Sequence, residues 1–191
     1  MMDKGNLVAT YKVADMYKNG YYVDKNYDTY CKMIEELYPQ VANCKNLFDP
    51  VPEVYTRLAR IRKEQGKEDE AVNLYLSAKD FLAQRIRYNA FFGNLNIMKW
   101  LIDDLNEMIE FDEEYFDFYD LYYLLKTPHK ITFMYEEQEM VLESVMEGRE
   151  CTVCFNGKWF RSRDDFFKDA MIDGTTATSV YDDLYGFEVI E

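Results

Sequence analysis

Two cysteines three positions apart, Cys151 and Cys154, are the first residues in this sequence whose spacing could serve chemistry. Such a pair supports redox exchange or zinc binding when both thiols face one partner. Here the neighbouring residues alternate between apolar and polar, which predicts a strand, and side chains three apart on a strand point to opposite faces. None of the residues Cys31, Cys44 and His129 lies at a spacing from Cys151 and Cys154 that would complete a zinc site. We expect buried thiols, no metal and no cofactor.

The single histidine, His129, has no serine or cysteine in a recognisable nucleophile turn to work with. The sequence also contains no glycine-rich phosphate loop, no His-Glu-x-x-His motif and no EF-hand spacing. Carboxylates are numerous, but an acidic surface brings many of them together by chance. We therefore predict that the protein is not an enzyme, and an enzyme with an unfamiliar carboxylate site is the least favoured of three functional classes.

The stretch from Trp100 to Leu125 is acidic and aromatic, with nine carboxylates, seven phenylalanines and tyrosines, and no lysine or arginine. In a helix, Tyr115 and Phe118 would face inward while Asp117 and Asp120 would stay outside. One interpretation is a solvated acidic face over an aromatic core. The other is a contact surface for a basic partner, with Asp117 and Asp120 as candidate partner-binding residues.

Net charge excludes one class of ligand. The chain of 191 residues carries 22 basic and 36 acidic side chains, a formal charge of -14. Affinity for a nucleic-acid backbone comes from cationic side chains, so nucleic acid is not expected as a direct ligand. Residues 1–126 hold 16 basic and 22 acidic groups, and residues 127–191 hold 6 and 14. A field of this sign favours solubility and attracts basic partners.

Composition predicts a folded chain, because 48% of its residues are hydrophobic and 17% are aromatic. No apolar run approaches the thickness of a bilayer, and no signal-peptide core follows the first charged residues. Four cysteines in a chain of this length do not resemble a disulfide framework. We expect a cytoplasmic protein with reduced thiols and no membrane association.

Apolar side chains recur at helical spacing in two pairs of segments before residue 83. A helix over 7–17 is predicted to end at Gly20, and a helix over 27–38 to end at Pro39. The next helix has Pro52 in its first turn, where the missing N–H costs nothing. The predicted inner faces of the second pair are Val54, Leu58, Ile61, Ala71, Tyr75, Ala78 and Leu82. These segments form two helical hairpins.

The second hairpin carries a recognisable motif. Its packing positions are Tyr55-x-x-Leu58-Ala59 followed by Ala71-x-x-x-Tyr75-x-x-Ala78. This pattern resembles a tetratricopeptide repeat, in which small residues let antiparallel helices approach closely. Arg62 departs from the usual aromatic residue. The customary closing proline is absent, which predicts that the last helix continues through Phe81 and Arg85.

The first hairpin resembles the related Sel1 type of repeat. The residues that carry this resemblance are Ala14-x-x-Tyr17-x-x-Gly20-x-x-Val23. Tyr22 stands where that pattern has a second glycine. Together the two resemblances cover about residues 6–83. They imply an array whose inner surface is formed by the first helix of each hairpin. The candidate partner-binding residues on that surface are Tyr11, Lys18, Arg57 and Lys63.

Beyond residue 83 the pattern predicts a third hairpin, with helices over 81–92 and 95–109, and a last helix over 113–126 capped by Asp112. After Pro128 the period changes from that of a helix to that of a strand. We predict strands near 131–135, 141–145, 151–155 and 158–161, with a tight turn at Asn156-Gly157. A helix capped by Ser162, a helix over 176–185 and an edge strand over 187–190 complete the chain.

The expected fold is mainly α with a small α+β part. It comprises a helical-hairpin repeat domain over 1–126 and an antiparallel sheet domain with two short helices over 127–191. The resemblance implies a protein–protein interaction scaffold with a protein or peptide partner. The alternative is an acidic inhibitor or immunity-type protein that blocks a basic, nucleic-acid-acting effector, and steep weakening of binding by salt would distinguish it. Exposed aromatics leave a homodimer open.

Overall fold

The computed structural model describes residues 7–190, and in this part of the chain it is mainly helical with a smaller β part, as predicted. The chain divides into two compact units, of which the first ends at Leu82 and the second begins at Ala83. The dividing point lies within one long helix. None of the helices described is both long and apolar enough to cross a bilayer.

The first unit consists of helices α1 (Leu7–Asn19), α2 (Tyr27–Val41), α3 (Val51–Glu64) and the first part of α4 (Glu68–Tyr88). The inner faces predicted for α3 and α4 are buried, and Val54, Ala71, Tyr75 and Ala78 are fully enclosed. Continuation of α4 past Arg85 is also confirmed.

The end of α2 differs from the prediction, because the helix contains Pro39 and continues to Val41. Proline removes one backbone donor, but burial of Leu37 and Val41 in the core holds the last turn in place. Tertiary packing therefore decides where this helix ends.

The loop after α1 contains a strained tyrosine. Tyr22 has a φ of 63° and is 97% exposed. A non-glycine residue in this left-handed region destabilises the fold by about 1 kcal/mol, and glycine avoids that strain. Glycine also raises the entropy of the unfolded chain, which offsets about 0.5 kcal/mol of the gain. Tyr22 occupies the position at which the Sel1 pattern has glycine.

We expect Tyr22→Gly to stabilise the first unit by about 0.5 kcal/mol, since it removes strain without removing a buried contact. Tyr21→Gly is the matched control, because Tyr21 has no positive φ and its backbone N–H donates to the Met16 carbonyl at 3.0 Å. That control should destabilise. Hydrogen exchange of α1 and α2 in increasing denaturant measures both effects, and equal effects of the two substitutions would contradict the strain argument.

The second unit begins with the end of α4 and continues into α5 (Phe92–Asn106). Of the third hairpin predicted over 81–92 and 95–109, the second helix is confirmed as far as Asn106. The first is wrong as a separate helix, since 81–88 is the end of α4, and no turn occurs at Gly93, which lies inside α5. The helix predicted over 113–126 is also wrong in its first half. Only a 3-10 turn at Phe118–Asp120 and α6 (Leu121–Leu124) are helical.

The true cap of this segment is Asp117, not Asp112. The Asp117 carboxylate accepts from the backbone N–H groups of Tyr119 and Asp120, and the Asp120 carboxylate accepts from the Asp117 N–H at 3.0 Å. Asp112 accepts from the Glu114 N–H in a local turn instead. This reciprocal capping box satisfies donors that a longer helix would have paired internally.

Five antiparallel strands form the main sheet: β1 (Lys130–Tyr135), β2 (Gln138–Glu147), β3 (Glu150–Phe155), β4 (Lys158–Phe160) and β7 (Leu184–Ile190). Their order in the sheet is β4-β3-β2-β1-β7. The predicted strands, the Asn156-Gly157 turn and the edge strand are confirmed. The short helix α7 (Arg163–Asp169) is capped by Ser162, whose hydroxyl accepts from the Asp165 N–H.

The helix predicted over 176–185 is wrong. After β5 (Met171–Ile172), the two residues of β6 (Thr175–Thr176) pair back with it, and two 3-10 turns follow at Ala177–Ser179 and Tyr181–Asp183. The Thr176 and Ser179 hydroxyls lie 2.7 Å apart. β-Branched and hydroxyl side chains favour such local bonds over a continuous helix.

An aromatic core joins the helices of the second unit to its sheet. The rings of Tyr122 and Phe167 stack at 3.6 Å, Phe118 meets Phe167 edge-on at 5.1 Å, and Phe166 meets Phe155 of β3. The boundary predicted near Pro128, between 1–126 and 127–191, lies inside this unit. The aromatic side chains of Phe118 and Tyr122, which precede Pro128, belong to the same core as Phe166 and Phe167.

Candidate functional site

A groove of about 320 Å³ opens between α2, α3 and α4 in the first unit. Its apolar surface comes from Tyr38 on α2, from Tyr55 and Leu58 on α3, and from Leu74 on α4. The rings of Tyr38 and Tyr55 lie 5.3 Å apart at a tilt of 52°. Both tyrosines are half-buried, so each ring has one part in the core and one part in the groove.

A charged cluster closes one end of this groove. The Arg62 guanidinium contacts Glu35 at 2.5 Å and Glu70 at 3.0 Å, and it donates to the Gln65 side-chain oxygen at 2.8 Å. The Arg62 side chain is only 17% exposed. It is the residue that departs from the tetratricopeptide pattern, and here it replaces an apolar contact by ion pairs that join three helices.

The arrangement is suited to binding a side chain, not to reacting with one. Burial raises the pKa of Tyr55, so its phenol stays neutral and can donate or accept a hydrogen bond. Asn73 and Ser77 add exposed polar groups on α4. An apolar or aromatic side chain can pack on the tyrosine rings while its backbone bonds to the polar rim.

The structure brings together two of the predicted inner-surface residues. Tyr11 is buried, and the Arg57 guanidinium lies 4.6 Å from the centre of its ring. Arg57 also donates twice to Asp15, through Nε at 2.8 Å and Nη2 at 2.6 Å. Burial lowers the pKa of Arg57, but the hydrogen bonds and charge of Asp15 outweigh it and raise that pKa. Tyr11 and Arg57 hold α1 against α3.

The other predicted residues are more dispersed. The Lys18 ammonium lies 5.2 Å from the Tyr30 ring, and Lys63 is half-buried on α3. Asp117 and Asp120 belong to the second unit, where they form the capping box. Partner binding by these six residues stays a prediction, although Tyr11, Arg57, Asp117 and Asp120 each have a clear role inside the fold.

Tyr30 gives the first unit a pH dependence. Burial raises its pKa to about 12, and its hydroxyl has no hydrogen-bond partner among residues 7–190. Tyr30 releases its phenolic proton near pH 10 in the unfolded chain and near pH 12 in the folded chain. The stabilisation that comes from keeping Tyr30 neutral is therefore fully present below pH 10 and is lost as the pH rises from 10 to 12. The loss amounts to about 2–3 kcal/mol.

We expect Tyr30→Phe to remove Tyr30's share of the alkaline loss, while tyrosines whose pKa burial also raises, such as Tyr27 and Tyr55, keep theirs. Stability at pH 7 should change by less than about 1 kcal/mol, since the substitution deletes an unpaired buried hydroxyl. Denaturant titrations of both proteins at pH 8 and near pH 11, followed by circular dichroism at the helix band, measure the difference. An unchanged alkaline slope in the variant would show that another group titrates.

The second unit exposes an acidic loop, defined here as residues 107–117. Its carboxylates at Glu107, Glu110, Asp112, Glu113, Glu114 and Asp117 are all exposed. Tyr115 is 82% exposed, contrary to the inward position that a helix would have given it, and Ile109 is also exposed. The loop is therefore acidic with two apolar side chains in solvent. It does not form the acidic face of a helix over an aromatic core.

The cysteines and the histidine form no reactive constellation in the described residues. All four cysteines are free thiols; Cys151 is buried and Cys154 is half-buried on the opposite face of β3. Burial raises the pKa of Cys151, which keeps it a thiol. The backbone N–H of His129 donates to the Ser144 hydroxyl at 2.8 Å. Residues 7–190 contain no group of three potential metal ligands.

Comparison with family models, with curated proteins and with solved structures finds no match for this chain. The tetratricopeptide and Sel1 resemblance therefore remains one of residue pattern. Of the groove, the sequence indicated Tyr55, Leu58 and Arg62 as parts of a motif. It missed Tyr38 and the exposed side chains of α4, although the helical spacing of Asn73 and Ser77 would have placed them on one face.

Proposed function

We propose that the protein is a protein-binding scaffold whose first unit accepts a peptide segment of a partner in the groove between α2, α3 and α4. The observation that carries this proposal is the half-buried pair Tyr38 and Tyr55, which lines the groove together with Leu58 and Leu74 in a concavity large enough for one bulky side chain. Aromatic anchors around a preformed cavity are the usual source of binding energy in protein interfaces.

The chemistry of the groove defines the partner's contact residue. Its apolar surface suits a leucine, methionine or aromatic side chain. Arg62 is already paired with Glu35 and Glu70, and the Lys67 ammonium lies 3.6 Å from Glu70, so the two cations balance the two carboxylates and this end of the groove has no net charge. We infer a partner segment that places one bulky apolar side chain in the groove.

The test blocks the groove without touching the core. Ser77→Arg places a long side chain at the rim, and Gln84→Arg makes the same kind of change at an exposed position of α4 that does not line the groove. Proteins captured from the source lysate by wild type and Gln84→Arg, but lost with Ser77→Arg, are identified by mass spectrometry. Equal capture by all three proteins would overturn the groove as the binding site.

A second candidate function is inhibition of a basic effector by the second unit. Residues 1–82 hold 12 basic and 13 acidic side chains, whereas residues 83–191 hold 10 and 23. The net charges are -1 and -13, so the second unit carries nearly all of the excess, and its acidic loop adds exposed Tyr115 and Ile109. An acidic surface with apolar anchors is complementary to a nucleic-acid-binding site.

Salt separates the two functions. Binding through apolar anchors in the groove should change little between low and high ionic strength, whereas binding through the acidic loop should weaken steeply. The same capture is therefore washed at both salt concentrations. A partner retained at high salt and lost with Ser77→Arg supports the scaffold. A partner lost at high salt and indifferent to Ser77→Arg supports the inhibitor.

A further inference from the structure

The second unit concentrates positive charge at one cavity, despite its net charge of -13. The cavity measures about 210 Å³ and is lined by Lys99, Lys126, Arg149 and Arg163. These are four of the ten basic side chains in residues 83–191. Each comes from a different part of the fold: α5, the residues after α6, the turn between β2 and β3, and the first turn of α7. Such convergence is not a consequence of local sequence.

Carboxylates fix three of these cations in position. The Lys99 ammonium lies 2.7 Å from Asp164, and Asp103 bridges Lys126 at 2.6 Å and Arg163 at 3.5 Å. Arg163 also donates to the backbone carbonyl of Tyr122. These contacts hold the side chains rigid, as a binding site requires.

The fourth cation has no such partner. Arg149 is exposed in the turn before β3, and within residues 7–190 it makes no ion pair. It nevertheless lines the same cavity as the three fixed cations. Asp164 and Glu150 line the cavity and Asp103 pairs with Lys126 and Arg163, so four basic groups and three carboxylates leave the cluster with one net positive charge. Arg149 forms no ion pair and lines the cavity with three other cations, so a bound anion would stabilise its charged guanidinium.

We propose that this cavity binds a phosphate group. A phosphate offers several acceptor oxygens to guanidinium and ammonium donors from different directions, and arginine binds it through paired N–H groups. The volume admits a phosphate with a small substituent and is below that of sites for larger ligands. The Ser162 hydroxyl at the cavity wall adds a neutral polar group. The group is carried either by free inorganic phosphate or by a phosphorylated amino-acid side chain.

Calorimetric titration of the full-length protein with inorganic phosphate, sulfate and O-phosphoserine tests the proposal and separates the two sources. Saturable binding of inorganic phosphate with weaker phosphoserine binding assigns the free anion. Phosphoserine binding as tight or tighter assigns a phosphorylated side chain. Sulfate should bind more weakly than phosphate near pH 8, where phosphate carries two charges and can still donate a proton.

Arg149→Ala should weaken phosphate binding about tenfold, and Arg149→Glu should abolish it. Position 149 is an exposed turn, so both variants should keep the fold, which circular dichroism checks. Arg161→Ala is the matched control, because Arg161 is 93% exposed in the same unit and does not line the cavity; its affinity should stay within about twofold of wild type. Absence of saturable binding by all three anions, or equal weakening in Arg149→Ala and Arg161→Ala, would overturn the proposal.

Discussion

Arg57→Ala is expected to destabilise the first unit by about 2–3 kcal/mol, one of the two largest effects that the structure predicts for a single side chain. The substitution leaves the Asp15 carboxylate, which is 25% exposed, without its two charge-assisted hydrogen bonds. It also removes the cation from the face of Tyr11. A fully buried pair would cost more, but partial exposure of both groups lets water replace part of the interaction.

Hydrogen exchange measures this loss selectively. Both tryptophans of the chain, Trp100 and Trp159, belong to the second unit, so their fluorescence does not report on α1 to α3. Exchange of the α1 and α3 amides should accelerate in Arg57→Ala while the tryptophan unfolding midpoint stays constant. A double-mutant cycle with Asp15→Ala isolates the pair and should recover most of the loss as coupling.

The control is a surface ion pair in the same unit. Lys32 and Glu36 are 3.9 Å apart and more than half exposed, so Lys32→Ala should cost less than about 0.5 kcal/mol. If Arg57→Ala and Lys32→Ala had equal effects, Arg57 would be an ordinary surface residue. That result would favour the prediction that Arg57 lies on the inner surface and is available to a partner.

Helical periodicity was sufficient to predict the helices of the first unit, apart from the end of α2, because each of them buries one continuous face. Val54, Leu58, Tyr75 and Leu82 are all buried where the spacing places them. The same reasoning failed for 113–126, where the acidic side chains compete for backbone donors. Asp117 captures the N–H groups of Tyr119 and Asp120, so helix begins only there. The spacing of apolar residues carries no information about this competition for backbone N–H groups.

The candidate sites were less predictable, because they depend on residues that are distant in sequence. Tyr38 and Tyr55 meet only after two helices pack, and no spacing rule relates them. The phosphate cavity is harder still. Lys99 and Arg149 are separated by nearly half of the second unit, and their neighbourhood in sequence is acidic. Composition indicated an acidic protein and concealed a local excess of positive charge.

Phe167→Ala is expected to destabilise the second unit by about 3–5 kcal/mol, the largest effect that we predict. Phe167 is 1% exposed and contacts Tyr122, Phe118 and Tyr119 through ring packing. Because these rings belong to the segment before Pro128, the cavity left by alanine weakens the helices and the sheet together. The tryptophan unfolding midpoint should fall, and amides of α5 and of β1 to β3 should lose protection in parallel.

Tyr115→Ala is the matched control, since it removes an aromatic side chain of the same unit that is 82% exposed. It should change stability by less than about 0.5 kcal/mol. Loss of protection in the strands of Phe167→Ala, with α5 unaffected, would mean that the sheet folds independently and that the boundary lies near Pro128 after all. Parallel loss of amide protection in α5 and in the strands would mean that the aromatic core defines the cooperative unit, and that the change from helix to strand does not.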